Sequence, residues 1–218
     1  MNGVELEGLE VVLINKQKDP LIFESGISNK DRSAVHVYAH GTPSNIDMSG
    51  NNDWSSETKD FKAVLEKSDV YQMNKKSDNL VVILHSCRLG RSYTDEKGNY
   101  VPSYAEEMSA EFPKLTIIAP DERDAFNSLD KGGEIGPRQI DDPLNTRADY
   151  KPGAEHHVNI DKPGNWNVFK DGKLLGSYSS KNYDASHAPN SFEKSVFFNK
   201  TQSPIGKEPN GLNKKANQ

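Results

Sequence analysis

The chain has one cysteine, Cys87, in 218 residues. That excludes an internal disulfide framework and any zinc site built from several thiolates. A lone thiol suits a reducing compartment, or a bacterial protein that needs no disulfide. Excess positive charge is also missing: 27 Lys and Arg stand against 32 Asp and Glu, for a formal net charge of -5 and a pI near 5.7. No electrostatic footprint for nucleic acid or an anionic membrane follows from that balance. The longest apolar runs, such as "LVVIL" (80–84), are far too short to span a bilayer. The beginning, "MNGVELEGLE", is acidic and lacks the charged-then-apolar order of a secretory signal. No G-x-x-x-x-G-K-[ST] or G-x-G-x-x-G loop offers a phosphate cradle, and no cofactor is expected. Apolar residues are also scarce, at 33% with a mean hydropathy of -0.80, so part of the length is expected to be loop or tail.

What remains is concentrated in the first 120 residues. "LEVVLIN" (9–15) has the Val, Leu and Ile content of a buried strand, and "PLIFES" (20–25) reads as its hairpin partner. "SAVHVYAHG" (33–41) alternates Val35, Val37 and Ala39 with His36, Tyr38 and His40, as a strand does. After a polar loop at 42–53, "WSSETKDFKAVLEKSDVYQ" (54–72) spaces Phe61, Val64 and Leu65 as one helix, with Ser55 or Ser56 as its N-cap. "LVVILHSC" (80–87) is nearly continuous in apolar residues, the pattern of a central parallel strand covered on both faces. Residues 88–102 read as a loop, and "SYAEEMSAEF" (103–112) as a helix with a Ser103/Glu106 capping box. "KLTIIAP" (114–120) is a further buried strand.

This alternation predicts an α/β domain, a mostly parallel central sheet with helices on both faces. Residues 121–164 predict loops, and "NWNVFKDGKLLGSY" (165–178) a C-terminal β-hairpin turning at Asp171-Gly172. "SFEKSVFF" (191–198) is one more strand or a short helix. Residues 1–198 are expected to form a single domain and 199–218 a disordered tail.

In an open parallel sheet, ligands bind at the carboxyl ends of the strands. Two strands end there in reactive residues: "VHVYAHG" in His40-Gly41 and "VVILHSC" in Cys87. One crossover joins them, which puts both ends on one edge of the sheet. A thiol attacks as thiolate, and an imidazole generates or maintains that form. The oxyanion that develops needs about two N–H donors, which Gly41 and the Cys87 backbone can offer. Each residue has a plainer reading. A cysteine after an apolar strand is most often a small buried hydrophobe, and a glycine after a histidine often only makes the turn.

Taken together, "VHVYAHG", "VVILHSCRLGRS", "SYAEEMSAEF" and "LTIIAPD" resemble the core of caspase-like (clan CD) cysteine peptidases. The likeness is nearest to caspase-like domains of bacterial polymorphic and secreted toxins, and spans roughly residues 30–125, with 165–180 more loosely. The resemblance implies a three-layer sandwich and endopeptidase activity. It makes Cys87 the nucleophile, His40 the general base or acid, and Gly41 with the Cys87 N–H the oxyanion hole. It also implies a monomeric effector, secreted or delivered to act in a target-cell cytoplasm. Such a chain has a protein or peptide substrate and, in a toxin–immunity system, an immunity protein as partner. A non-catalytic binding module and a Cys-His deamidase or transglutaminase are the alternatives.

His85 departs from the pattern. It stands two residues before Cys87, on the same face of the strand, and rivals His40 as partner. Asp121 and Glu122, after the strand at 114–120, are candidates for a pocket that favours basic side chains, or simply the start of a solvated loop. Arg88, beside Cys87, is a candidate to lower the thiol pKa or to select acidic substrates. No metal is expected. "EHHVN" (155–159) offers two adjacent histidines that a strand would point to opposite faces. Ser86 lacks the G-x-S-x-G elbow of a hydrolase serine.

Overall fold

A computed structural model describes residues 10–140 and 158–182. In chain order its first half runs β1 (Val11–Val12), α1 (Pro20–Ser28), β2 (Val35–Tyr38), β3 (Ile46–Asp47), β4 (Trp54–Ser55), α2 (Thr58–Leu65), α3 (Asp69–Asn74) and β5 (Leu80–His85). Then come β6 (Tyr93–Thr94), β7 (Tyr100–Val101), α4 (Tyr104–Glu111), β8 (Leu115–Pro120) and β9 (Arg123–Phe126). The last strands are β10 (Glu134–Ile140), β11 (Val158–Pro163), β12 (Asn165–Lys170) and β13 (Lys173–Ser179). The fold is mixed α/β, with few helices and a six-stranded sheet in the order β1-β2-β5-β8-β12-β13. The first four strands pair in parallel, and the hairpin β12–β13 adds antiparallel to β8.

Alternation along the strands builds two cores. Val35, Val37, Val82, Leu84 and Ile117 face one way, against Phe61, Val64 and Leu65 of α2 and Tyr104 and Met108 of α4. On the other face Val12, Ile14 and Tyr38 meet Ile22 and Phe23 of α1, while Val81, Ile83 and Ile118 surround Trp166. A small sheet, β11-β10-β9, lies beside α1 there, with Phe126 against the α1 cluster. The sheet advances in one direction from β1 to β8, yet α1 covers the face opposite to α2 and α4. The β1-to-β2 connection therefore has the opposite hand to the other two crossovers, at an edge strand with a two-residue ladder.

Several elements are as their residues dictate. All six residues of β5, and all six of β8, are buried, which is why their sequences are apolar rather than alternating. Ser103 caps α4, its Oγ accepting from the Glu106 N–H at 3.2 Å, a contact of the kind that contributes about 1 kcal/mol. The second half of the predicted box is not made: the Glu106 carboxylate accepts instead from Ser92 and Tyr100 hydroxyls. The β12–β13 turn is at Asp171-Gly172, both with positive φ (51° and 68°), the twist that a two-residue hairpin needs.

Other expectations are corrected. Residues 20–25 are not a strand but the start of α1, because Pro20 supplies a preset φ at the first helical turn, where no N–H partner is lost. Residues 54–72 are not one helix. Trp54–Ser55 pair with β3, α2 begins after Glu57, and Ser68 caps a separate α3 by accepting from the Tyr71 N–H. Ser55 accepts from the Glu57 N–H and donates to Asp60, bracing the approach to α2 without capping it. The predicted loops at 88–102 and 121–164 contain the ribbon β6–β7 and the strands β9, β10 and β11. The readings at 191–198 and 199–218 lie outside the described residues, as do residues 155–157 of "EHHVN".

Candidate active site

Parallel pairing of β2 with β5 ends at Tyr38 opposite His85, and the Ala39 N–H donates to the His85 carbonyl at 3.2 Å. His40 and Cys87 each stand two residues beyond that pair, at the carboxyl edge where the parallel sheet opens. The chain then leaves β5 abruptly. Arg88 has φ of +60°, a left-handed conformation that costs a non-glycine residue about 1–2 kcal/mol. Its surroundings hold it there: the Arg88 N–H donates to the Glu122 carbonyl at 3.0 Å and the Gly90 N–H to the Pro120 carbonyl at 2.8 Å. Cys87 thus sits on a sharp turn pinned to the end of β8.

Gly41 packs directly on that turn. A Cβ at this position would meet the Ser86 Oγ, the Leu89 Cγ at 2.7 Å and the Cys87 carbonyl oxygen at 2.9 Å. Contact between the two strand ends therefore requires a glycine there. Among the described residues, no backbone carbonyl accepts from the Gly41 or the Cys87 N–H.

His40 is fixed from two sides. Its carbonyl accepts from the Asp47 N–H at 3.0 Å. Asp47 in turn is buried, and its carboxylate gathers the N–H groups of Ser49, Gly50, Asn52 and Asp53. Burial alone would raise the Asp47 pKa, but these N–H donors hold it below the ordinary carboxylate value. On the ring, Nε2 lies 3.0 Å from Asp19 Oδ2, a pair about one-third exposed. Asp19 immediately precedes α1 and was not singled out in the sequence, where 21 positions separate it from His40. An Nε2–H donated to Asp19 leaves Nδ1 as the basic nitrogen of the ring.

Cys87 as a residue is half-buried. Burial pushes its pKa up, while the charges of Arg123 and Arg88 and a hydrogen bond from the Asp124 N–H oppose that rise without cancelling it. The resting thiol is accordingly protonated at neutral pH, and a base must take its proton during attack.

His85 occupies a different environment. Its ring is fully buried between Tyr38, stacked at 4.1 Å, and Trp166, edge-on at 6.0 Å. Both ring nitrogens have partners: Nε2 lies 2.8 Å from His36 Nδ1, and Nδ1 lies 2.9 and 2.8 Å from the two oxygens of Glu134. His36 Nε2 continues the chain to Asp31 Oδ2 at 3.1 Å. Burial disfavours charge on His36. Burial also acts to raise Asp31, yet hydrogen bonds from His36 and Ser33 bring it down to about 2. This relay links positions 49 residues apart; its only trace in the sequence is two histidines inside otherwise apolar strands.

The remaining candidates are held by the fold. Asp121 accepts from the N–H and the side-chain amide of Asn165, at 2.6 and 2.8 Å, and ties β8 to β12. Glu122 meets Arg91 at 3.3 Å. Burial raises the pKa of both carboxyls. No family model, curated protein or solved structure matches the chain.

Proposed function

We propose that the chain is a caspase-like cysteine peptidase in which His40 and Cys87 form the catalytic pair. The observation that carries this reading is the meeting of His40-Gly41 and Cys87 at the carboxyl edge of adjacent parallel strands, with two N–H groups that no backbone carbonyl engages. The sequence resemblance supports the same pairing, and with it a role as a bacterial effector or self-processing domain.

In this reading His40 Nδ1 takes the thiol proton as Sγ bonds to the carbonyl carbon of the scissile peptide. The Gly41 and Cys87 N–H groups hold the oxyanion. The intermediate collapses to a thioester as His40 returns the proton to the leaving amine, and water then hydrolyses the thioester. Asp19 holds the ring through Nε2, which leaves Nδ1 as the nitrogen free to take the thiol proton.

The test is a cell lysate incubated with the protein, with and without prior iodoacetamide treatment at alkaline pH, where the raised thiol ionises, followed by mass spectrometry of new peptide termini. Alkylation-sensitive new termini support the peptidase; none, at high enzyme concentration, leaves a non-catalytic binding module as the better reading. The Asp19 role has its own readout. Asp19→Asn is expected to lower kcat roughly 10- to 100-fold with KM unchanged. That is less than the 10²–10⁴-fold of losing the general acid–base itself, because the pair is about one-third exposed to solvent. An unchanged kcat would remove Asp19 from the mechanism.

A further inference from the structure

Beneath the thiol, on the face covered by α1 and the small sheet, three donors converge. An oxygen of Asp124, an oxygen of Glu134 and His85 Nδ1 all lie within 4.8 Å of one another. Asp124 is 7% exposed, and among the described residues no N–H or hydroxyl donates to either of its carboxylate oxygens; what they face is the Glu134 carboxyl, which can pair with them only through a shared proton or a cation. A buried carboxylate left in that condition costs several kcal/mol unless it is neutralised or bound. Arg138, on the same strand as Glu134, lies close enough for its charge to act on Asp124, but its Nη1 hydrogen bonds go to the Pro137 carbonyl and the Ser180 hydroxyl.

The hydrogen-bond partners favour the tautomer of His85 that faces the carboxylates with a lone pair. The Asn29 amide nitrogen lies 3.1 Å from His36 Nδ1 and 3.0 Å from the Tyr38 hydroxyl, so His36 Nδ1 is an acceptor. His36 then carries its proton on Nε2 and donates it to Asp31. With His36 Nδ1 as an acceptor, the shorter 2.8 Å contact is a hydrogen bond when His85 Nε2 donates, the Asn29 amide sharing the same lone pair at 3.1 Å. In that tautomer the His85 proton is on Nε2, and Nδ1 turns its lone pair toward Glu134 and Asp124. Something positive has to sit among these three, either a shared proton or a metal ion.

We propose that His85, Asp124 and Glu134 bind one divalent transition-metal ion. One imidazole with two carboxylates is a donor set for zinc, manganese or iron(II) rather than for calcium or magnesium. Metal-ligating histidines characteristically give their other N–H to an outer partner that orients the ring; here the partner is His36, itself held by Asp31. Glu134 also lines an open cleft of about 470 Å³ together with Ser25, Asn29, Asp31, Tyr38 and Gly133, which brings solvent up to one of the three ligands. Bound there, the ion fastens β5 to β9 and β10, and so joins the small sheet to the centre of the large one. The site is independent of the peptidase reading and requires no activity for its test.

The purified chain is stripped with EDTA, dialysed, and titrated with ZnSO4 and MnCl2 by calorimetry, then with CoCl2 in the visible range. The expected result is one ion per chain, a thermal midpoint that rises with free metal, and a cobalt d–d band without a thiolate charge-transfer band. Asp124→Asn and Glu134→Gln should each weaken binding by more than the roughly 10- to 100-fold that loss of an outer partner costs. No binding to the folded wild-type chain overturns the proposal and leaves a proton shared among the three groups. Binding unchanged in the folded variants, or a thiolate band assigning the ion to Cys87, overturns it as well. Should both variants fail to fold, the wild-type stoichiometry and cobalt spectrum decide.

Discussion

Cys87→Ala is expected to reduce the appearance of new peptide termini in a treated lysate by at least roughly 10³-fold, the scale on which removal of a covalent nucleophile acts. The same variant should unfold at nearly the wild-type urea concentration. The residue is small and half-buried, and substitutions of that kind usually change stability by less than about 1 kcal/mol. Chemistry and folding therefore separate cleanly at this position. The pH dependence is set by burial, which raises the thiol pKa. Iodoacetamide reacts with thiolate, so its rate with the resting protein should stay low at neutral pH and climb only beyond the ordinary thiol range. Undiminished cleavage by the alanine variant ends the peptidase reading. Rapid alkylation at pH 6 instead shows a thiolate already formed at rest, and transfers the base's role from the attack to an earlier step.

The largest effect on stability is expected at Trp166. This side chain is 1% exposed and packs among Ala34, Val81, Ile83, Ile118, Val168 and Tyr178, with its ring against His85. It lies on β12 opposite Pro120 of β8 and Tyr178 of β13, so its core spans three strands and the relay. Trp166→Ala should cost about 3–5 kcal/mol through lost burial and the cavity left behind, a large part of the roughly 5–15 kcal/mol of a typical domain. Urea unfolding should show a lower midpoint with an unchanged m-value. Trp166→Phe should cost much less. Nε1 has no hydrogen-bond partner among the described residues, so the change keeps most of the apolar body and breaks no bond. A loss below about 1 kcal/mol for the alanine variant would mean that this core repacks around the gap.

The central strands and α4 were legible because their signals are local. An uninterrupted apolar run marks a strand covered on both faces, and Ser103 before a helical stretch marks its start. α1 carried a local signal as well: Asp19-Pro20 is a helix entry, outweighed by the Leu, Ile and Phe that follow. The strands at 123–140 carry Arg, Asp, Glu, Gly and Pro because they pair on a small sheet rather than build the main core. Their apolar content alone could not reveal them. The position of Cys87 and His40 at the sheet edge followed from strand order. Their partners did not: Asp19 reaches His40 across α1, and Glu134 reaches His85 across 49 positions. Such contacts belong to the tertiary fold, and a polar residue set in an apolar strand is the only advance notice of them.

Gly41 shows how neighbouring residues tolerate change for different reasons. Its missing side chain is explained by the Leu89 Cγ and the Cys87 carbonyl oxygen standing where a Cβ would be, whatever use is made of its N–H. His40 has no such crowding, with its ring 30% exposed. In a saturation library, selection for folded protein alone would clear nearly every substitution at 41 and admit many at 40. On the peptidase reading, selection for turnover would then close position 40, so the two halves of one dipeptide would drift under separate pressures.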